Sequence, residues 1–172
     1  MPTGDDPRPL LHLEDLAPGM SWETGAHTLT SGEMTAFAAT FDPQPFHLDY
    51  AAAGDSLFGG LAASGWHTAA VTMRLQVEGG PRIAGGLIGA GGHIDWPRPT
   101  RAGDTLRAVC EVVAVRESRS RPGRGLVTMR TTTLNQDDEV AQVFEATIVV
   151  PRRAPAGSPG DAAQRGPPAP SR

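Results

Sequence analysis

The sequence contains no lysine, and Cys110 is its single cysteine. One cysteine excludes an intrachain disulfide, and the apolar run TLRAVCEVVAV around it predicts a small buried side chain more readily than a nucleophile. The fifteen basic residues are all arginine, and no block of five like charges occurs. With a formal net charge of −4, the chain lacks the basic patch that is typical of nucleic-acid-binding proteins.

Long apolar runs and the common cofactor motifs are missing as well. No stretch approaches the roughly 18 apolar residues that cross a bilayer, and the start MPTGDDPRPL lacks the charged beginning and apolar centre of a signal peptide. We therefore expect a cytoplasmic protein. No His/Cys/Asp cluster has the spacing of metal ligands, and GGLIGAGG lacks the GxGxxG order and the lysine of a phosphate-binding loop.

The length of 172 residues predicts one domain with a substantial core. The last segment, RRAPAGSPGDAAQRGPPAPSR, has five prolines, three glycines and no aliphatic side chain larger than alanine. Such a segment cannot bury enough apolar surface to offset the entropy lost on ordering. We therefore predict a single domain over residues 1–151 and a disordered tail over residues 152–172.

Two helices and one helical turn are predicted before residue 80. Thr30 and Glu33 have the spacing of a capping box, which predicts a short helix that ends near Asp42. LDYAAAG predicts one helical turn that Gly54 ends, and a longer helix begins at about Gly65 and ends in EGG. Its apolar stripe consists of Trp66, Ala69, Ala70, Met73 and Val77, and Val71 and Leu75 widen it. A helix that is apolar on so much of its surface is predicted to be largely buried.

The second half of the chain predicts strands. Four segments are rich in β-branched residues and alternate in polarity: GLIGAGGHIDW, DTLRAVCEVVAV, GLVTMRTTTLN and EVAQVFEATIVV. The short links RESRSRPGRG and NQDDE make antiparallel neighbours of the last three. The order of elements predicts an α+β fold in which an antiparallel sheet wraps around one central helix.

The segment TFDPQPFHLDY places two prolines between Asp42 and His47. Proline locks φ and removes a backbone donor, so residues 42–47 are not expected to form ordinary helix. Asp42 and Gln44 each precede a proline and are therefore biased towards extended backbone. A stiff loop of this kind suits a general acid/base pair that holds a water or a substrate proton. It also suits a structural turn in which Asp42 caps the loop and His47 fills a polar gap.

Two further features have both a functional and a structural interpretation. In GGLAASGWH, Gly65 stands where a helix N-terminus with unsatisfied N–H groups can stabilise an oxyanion, or where a tight turn enters a packed helix. In GHIDW, His93 and Asp95 share one face of a strand and form either a second acid/base pair or a structural polar pair. The remaining histidines have no partner pattern.

Three sequence blocks resemble the MaoC-like dehydratases, which include the R-specific enoyl-CoA hydratases. FDPQPFHLD is similar to the family signature Asp-x-Asn-Pro-x-His, with Gln44 in place of the usual asparagine. LFGGLAASGWHTAAV is similar to the helix entry that follows the signature, and WPRPTRAGDTLRA is similar to the entry into a later strand. The resemblance extends from about Leu13 to Val150.

This resemblance implies a hotdog fold, a dimer of hotdogs, and a thioester substrate on CoA or on acyl carrier protein, with no cofactor other than the CoA of the substrate. It implies reversible addition of water to a 2-enoyl thioester, with Asp42 and His47 as the catalytic dyad and the Gly65 N–H as the oxyanion donor. The predicted substrate-binding residues are Gln44, Ser64, Arg98 and Arg101. Two alternatives stay open: a hotdog thioesterase, and a non-catalytic acyl-CoA-binding subunit that pairs with a catalytic chain.

Overall fold

The computed structural model describes residues 6–154. A 3₁₀ turn at Leu13–Asp15 precedes the first strand. The helices are α1 Ser31–Phe41, α2 Pro45–Leu48, α3 Tyr50–Gly54 and α4 Gly65–Gly79. The strands are β1 Ser21–Thr28, β2 Ile88–Asp95, β3 Thr105–Glu117, β4 Arg124–Leu134 and β5 Val140–Pro151.

The five strands form one antiparallel sheet in the order β1-β3-β4-β5-β2. The α+β class, the four predicted strands and the antiparallel pairing of β3, β4 and β5 are therefore confirmed. Strand β1 was not predicted, because SWETGAHT has little apolar alternation and Thr24 is its one buried residue. Strand β2 does not continue the meander into β3 but pairs with β5 at the far edge.

Helix α4 packs against β1 and β3, but it is only half buried. The predicted stripe faces outward: Trp66 is 60 % exposed, Met73 41 % and Val77 58 %. The prediction of a largely buried helix was therefore wrong. The buried face of α4 contains Val71 and Leu75 from the widened stripe. Its other buried residues are hydrophilic, so the apolar pattern alone did not identify this face as the buried one.

A buried polar layer joins α4 to the sheet. The hydroxyls of Thr72 and Thr133 lie 2.8 Å apart, and Gln76 Nε2 donates to Thr131 Oγ1 at 2.6 Å. Cys110 lies within the adjoining core as predicted, and burial raises the pKa of its thiol. These hydrogen bonds satisfy side chains that would otherwise be costly to bury between helix and sheet.

The described residues include three beyond the predicted domain boundary at residue 151. The guanidinium of Arg152 donates to Glu14 at 2.8 Å, and that of Arg153 donates to Asp15 at 2.6 Å. Two arginines assigned to the predicted tail are thus held by ion pairs, and the part of the tail from residue 155 onwards lies outside the described residues. None of the helices in residues 6–154 has the length and hydrophobicity that a membrane span requires.

Candidate active site

Asp42 lies at the C-terminal end of α1. The predicted capping box begins this helix: the Thr30 side chain accepts the Glu33 N–H, and the Glu33 carboxylate accepts the Thr30 N–H. The helix ends at Phe41, and the Asp42 N–H donates to the Ala38 carbonyl at 2.9 Å. The Asp42 backbone leaves the helical region with φ −150° and ψ 66°. The end of α1 therefore fixes the position of the Asp42 side chain.

His47 lies on the single helical turn α2. The prediction that residues 42–47 avoid helix is correct for 42–44 and wrong from Pro45 onwards. Proline is tolerated at the first helical position because its missing N–H would have no helical acceptor there. Gln44 is extended with φ −82° and ψ 138°, as expected for a residue before proline. The two prolines thus set a corner between two helices.

The His47 ring is 5 % exposed, and its backbone neighbours determine its tautomer. Its Nδ1 lies 2.8 Å from the Ala62 carbonyl oxygen. A carbonyl can only accept, so Nδ1 carries the hydrogen and the neutral ring has its lone pair on Nε2. This Nε2 lies 3.4 Å from Asp42 Oδ2. The basic nitrogen and the carboxylate oxygen therefore face each other.

Two donors hold the Asp42 carboxylate. The Ser64 hydroxyl donates to Oδ2 at 2.7 Å, and Gln44 Nε2 donates to Oδ1 at 2.7 Å. The Ser64 bond and then the Gln44 bond lower the pKa of Asp42, while burial partly opposes them. Gln44 and Ser64, which were predicted to bind substrate, thus contact the carboxylate.

Gly65 is the first residue of α4. The Ser64 side chain accepts the Trp66 N–H at 3.2 Å, and the Ser64 carbonyl accepts the N–H groups of His67 and Thr68. Among residues 6–154, no hydrogen bond uses the Gly65 N–H, as expected at a first helical position. The positive end of the helix dipole adds to this free donor.

The indole of Trp96 explains why residue 65 is glycine. A Cβ at position 65 would lie 2.8 Å from Trp96 Cε2 and 3.0 Å from Trp96 Cδ2. Gly65 has no positive φ, so close packing and not backbone conformation imposes glycine here.

A cleft of about 440 Å³, here called the dyad cleft, brings most of the predicted site residues together. Asp42, Gln44, His47, Gly65 and Arg98 line it, together with aromatic and proline side chains that the sequence did not identify as site residues. Phe46, Phe58, Trp96 and Pro99 are among these additional residues.

Ser64 and Arg101 are not among the residues that line the dyad cleft. Ser64 lies behind the lining of the cleft and donates its hydroxyl to Asp42. The Arg101 guanidinium donates to the carbonyls of Phe58 and Leu61 at 2.6 and 3.2 Å, so it supports the loop before α4. The guanidinium of Arg98 lies in the lining and pairs with Glu139.

The other histidines lie away from this cleft. His93 and Asp95 are 3.2 Å apart on the outer strand β2 with exposed side chains, which supports the structural interpretation of this pair. His67 is buried on α4 and stacks on Phe37, with ring centroids 4.8 Å apart, and burial lowers its pKa. No group of three His, Cys, Asp or Glu side chains within residues 6–154 could hold a metal ion.

A second cavity, the α4 groove, adjoins the dyad cleft and has a volume of about 480 Å³. Trp66 borders both cavities. The groove follows one face of α4 through Ala69, Met73 and Gln76, and its opposite wall is formed by β2, β4 and β5. Its lining is mostly apolar, so it can accept a hydrocarbon chain that enters from the Gly65 end.

Comparison with known proteins agrees with this geometry. The model of the MaoC-like domain family matches residues 15–135. A structure described as a MaoC-like dehydratase from Rhodospirillum rubrum is 54 % identical, covers 84 % of this chain and 99 % of its own, and superposes with a TM-score of 0.81. The sheet wrapped on a helix is the hotdog fold, as the resemblance implied.

Two less similar relatives match a similar share of this chain. The (R)-hydratase from A. caviae involved in PHA biosynthesis is 27 % identical, with a TM-score of 0.65, and the match covers 80 % of this chain and 99 % of that one. The uncharacterized protein YdeM of Bacillus subtilis (strain 168) is 29 % identical over 143 residues, which are 81 % of this chain and 97 % of YdeM. Each match thus covers 80–81 % of this chain and nearly the whole of the relative.

Proposed function

Because the chain belongs to the MaoC-like domain family, we propose that it is an acyl-CoA hydratase/dehydratase that adds water reversibly to a 2-enoyl thioester. One observation carries this proposal. Within a single cleft, the Asp42–His47 pair and the unbonded Gly65 N–H provide what the reaction needs: a proton acceptor beside a water and a donor for a developing oxyanion.

The facing acceptors suit a water molecule. Asp42 is ionised, because its two donors lower its pKa, and the neutral form of His47 presents a lone pair on Nε2. Two acceptors 3.4 Å apart can receive the two hydrogens of one water and direct its oxygen towards C3 of the enoyl group. Both groups therefore act on one molecule from one side.

We assign proton transfer to His47. The donors that stabilise the Asp42 carboxylate make it a weaker base, whereas the fixed tautomer leaves His47 Nε2 free to accept. The water oxygen bonds to C3 while its proton moves to Nε2, and the adjacent Asp42 carboxylate stabilises the resulting imidazolium. The imidazolium then returns its proton to C2 on the same face, which restores the neutral ring.

The electron pair of the C2–C3 double bond shifts towards the thioester oxygen as water adds. Gly65 N–H donates to this oxygen, where the α4 dipole also favours negative charge. When C2 takes the proton, the charge returns and the thioester carbonyl is restored. The free helix donor thus acts mainly on the enolate-like transition state.

The CoA moiety requires positive charge near the mouth of the dyad cleft. Arg98 is the arginine that lines this cleft, and it supports recognition of a CoA phosphate, since guanidinium groups fork onto phosphate oxygens. Arg101 contributes indirectly by holding residues 58–61. We propose no further cofactor.

We also propose that the protein acts as a homodimer. Within residues 6–154, the outer edge of strand β2 pairs with no other strand. Apolar surface is exposed on α4 and β2 by Trp66, Met73, Val77 and Ile88. Unpaired strand edges and exposed apolar side chains are typical of association sites. A second copy on this face would cover the mouth of the α4 groove.

An assay with crotonyl-CoA tests the activity. Loss of the enoyl absorbance while the thioester stays intact supports hydration. Release of free CoA thiol would instead identify a thioesterase, and binding without either change would identify a non-catalytic acyl-CoA-binding subunit. Absorbance and thiol release are measured on the same sample, so one experiment separates the three functions.

A further inference from the structure

The α4 groove contains a buried amide whose donors have no acceptor. Gln142 on β5 is 1 % exposed and lines the groove. Its Nε2 is fully buried and makes no hydrogen bond with any residue that the structure describes. A buried amide that lacks partners is costly, and native proteins rarely keep one without a role.

The orientation of this amide follows from its neighbour. Trp96 Nε1 lies 3.0 Å from Gln142 Oε1. The indole N–H can only donate, so the atom that faces it must be the amide oxygen and the NH₂ must be on the other side. The free NH₂ group is thus a consequence of the Trp96 contact and not an arbitrary choice between two flipped amides.

The same contacts relate Gln142 to the reaction centre. The Trp96 indole packs against Gly65 and bonds to Gln142, so a single side chain separates the oxyanion donor from the free amide. An acyl chain whose thioester oxygen is at Gly65 and whose tail enters the α4 groove therefore passes close to Gln142. Because one indole separates Gly65 from Gln142, we expect the amide to lie several carbons beyond the thioester carbon, near the middle of a short acyl chain.

The chemistry of the groove narrows the kind of group that Gln142 can bind. Its NH₂ donates, so it requires an acceptor. None of the described residues that line the groove is basic, and a carboxylate would be buried there without a counter-ion. Neighbouring polar groups are already paired, since Gln76 donates to Thr131 and Thr72 contacts Thr133.

We propose that the α4 groove is an acyl subsite in which Gln142 recognises a neutral hydrogen-bond acceptor, such as a keto, hydroxyl or ether oxygen, in the middle of the acyl chain. This proposal rests on the proposed function and narrows its substrate class to oxygenated acyl thioesters. A purely hydrocarbon chain leaves the Gln142 amide unpaired, so it binds less tightly.

Isothermal titration calorimetry with saturated acyl-CoAs tests the subsite without the hydration reaction. The probes are hexanoyl-CoA and heptanoyl-CoA with an oxo group at position 4, 5 or 6, each paired with its isosteric methyl-branched analogue. We expect at least one oxo compound to bind 10-fold or more tightly than its methyl partner. In Gln142→Met the ratio should fall below twofold, because the thioether fills the space without donating.

Gln76→Met is the matched control, because Gln76 lines the same groove but its amide nitrogen already donates to Thr131. It should change the affinity for both members of each pair equally. Ratios within twofold for the wild-type protein would show that Gln142 is satisfied in another way, for instance across a subunit contact, and would overturn the proposal. A ratio that survives in Gln142→Met would overturn it too. A preference for an oxo compound without hydration of crotonyl-CoA or of the matching 2-enoyl oxo compound would leave the subsite standing and refute the hydratase.

Discussion

The indole of Trp96 packs so closely on Gly65 that a methyl group on the Gly65 Cα would lie 2.8 Å from Trp96 Cε2. Gly65→Ala is therefore expected to displace Trp96 and to lower both activity and melting temperature. Trp96→Leu should open space, so the cost of Gly65→Ala should be much smaller in that background. A double-mutant cycle measured by thermal unfolding and turnover checks this coupling. Equal costs in both backgrounds would contradict the packing explanation.

Removing the Gly65 N–H should damage catalysis more than binding. In the Trp96→Leu background, Gly65→Pro is compared with Gly65→Ala, which keeps the N–H. Backbone strain is small, because Ser64 at φ −56° and ψ 138° already has a conformation that proline allows in its predecessor. We expect proline to cost ~100-fold or more in kcat relative to alanine, with a modest change in KM. Equal kcat values would remove the oxyanion role from Gly65.

Loss of either member of the dyad should abolish most of the turnover. Asp42→Asn and His47→Ala are each expected to lower kcat by about 100-fold or more, the usual magnitude for general acid/base groups. Asp95→Asn and His93→Ala are matched controls, because that exposed pair has a similar 3.2 Å separation on β2. If a dyad variant kept near-normal hydration with its fold intact, by circular dichroism, the assignment would be untenable.

The Ser64 hydroxyl should control the protonation of Asp42. In the wild-type protein the pKa of Asp42 is below its ordinary value of 3.8, and the Ser64 bond is the largest cause. Ser64→Ala should therefore raise this pKa, and Gln44→Ala should raise it less. Carbon-13 NMR titration of the Asp42 carboxyl carbon measures both shifts, with Asp95 as an internal reference. An unchanged Asp42 titration in Ser64→Ala would show that the Ser64 hydrogen bond does not lower the pKa of Asp42.

This lowered pKa also has a consequence for stability. A group whose pKa is depressed by folding stabilises the fold above its unfolded pKa, and this contribution is lost as the pH falls through the folded pKa. Ser64→Ala should therefore destabilise the protein more at pH 7 than under acid conditions that protonate Asp42 in both proteins. It also loses the cap of α4, which costs about 1 kcal/mol at any pH. Urea denaturation at several pH values separates the two effects.

The outward face of α4 should determine the oligomeric state. We expect a homodimer in light scattering at micromolar concentration, and Met73→Glu should shift it towards monomer, because a charge would be buried in an apolar contact. Leu57→Glu is the control, since Leu57 is fully exposed in the loop before α4 and does not line the groove. A monomeric wild-type protein would refute the dimer.

The sequence predicted those parts of the site that depend on local backbone chemistry. The Thr30–Glu33 capping box predicted α1, and α1 ends where Asp42 was expected. The prolines predicted a fixed relation between Asp42 and His47, although Pro45 begins a helical turn instead of excluding one. Such short-range features follow from φ restrictions and side-chain caps that act within a few residues.

The parts that were missed depend on contacts between distant segments. The partner of His47 Nδ1 is the Ala62 carbonyl, which no side-chain pattern can indicate. Trp96 reaches Gly65 from the end of β2, and its packing is determined by how the sheet meets α4. The apolar stripe of α4 was predicted to be buried but faces outward, because periodicity identifies an apolar surface without showing whether the same chain covers it.

The hydrogen bond between the Thr72 and Thr133 hydroxyls and the bond from Gln76 to Thr131 fix the position of α4 along the sheet. A purely apolar interface would tolerate sliding by a fraction of a turn, because methyl groups contact any neighbouring methyl group, whereas a slipped hydroxyl or amide loses its partner. The position of the Gly65 N–H relative to Asp42 therefore depends on the hydrogen bonds of Thr72 and Gln76, which lie two and three turns further along the same helix. We expect valine at Thr72 and leucine at Gln76 to preserve or raise stability while leaving the Gly65 N–H, the proposed oxyanion donor, without a single location.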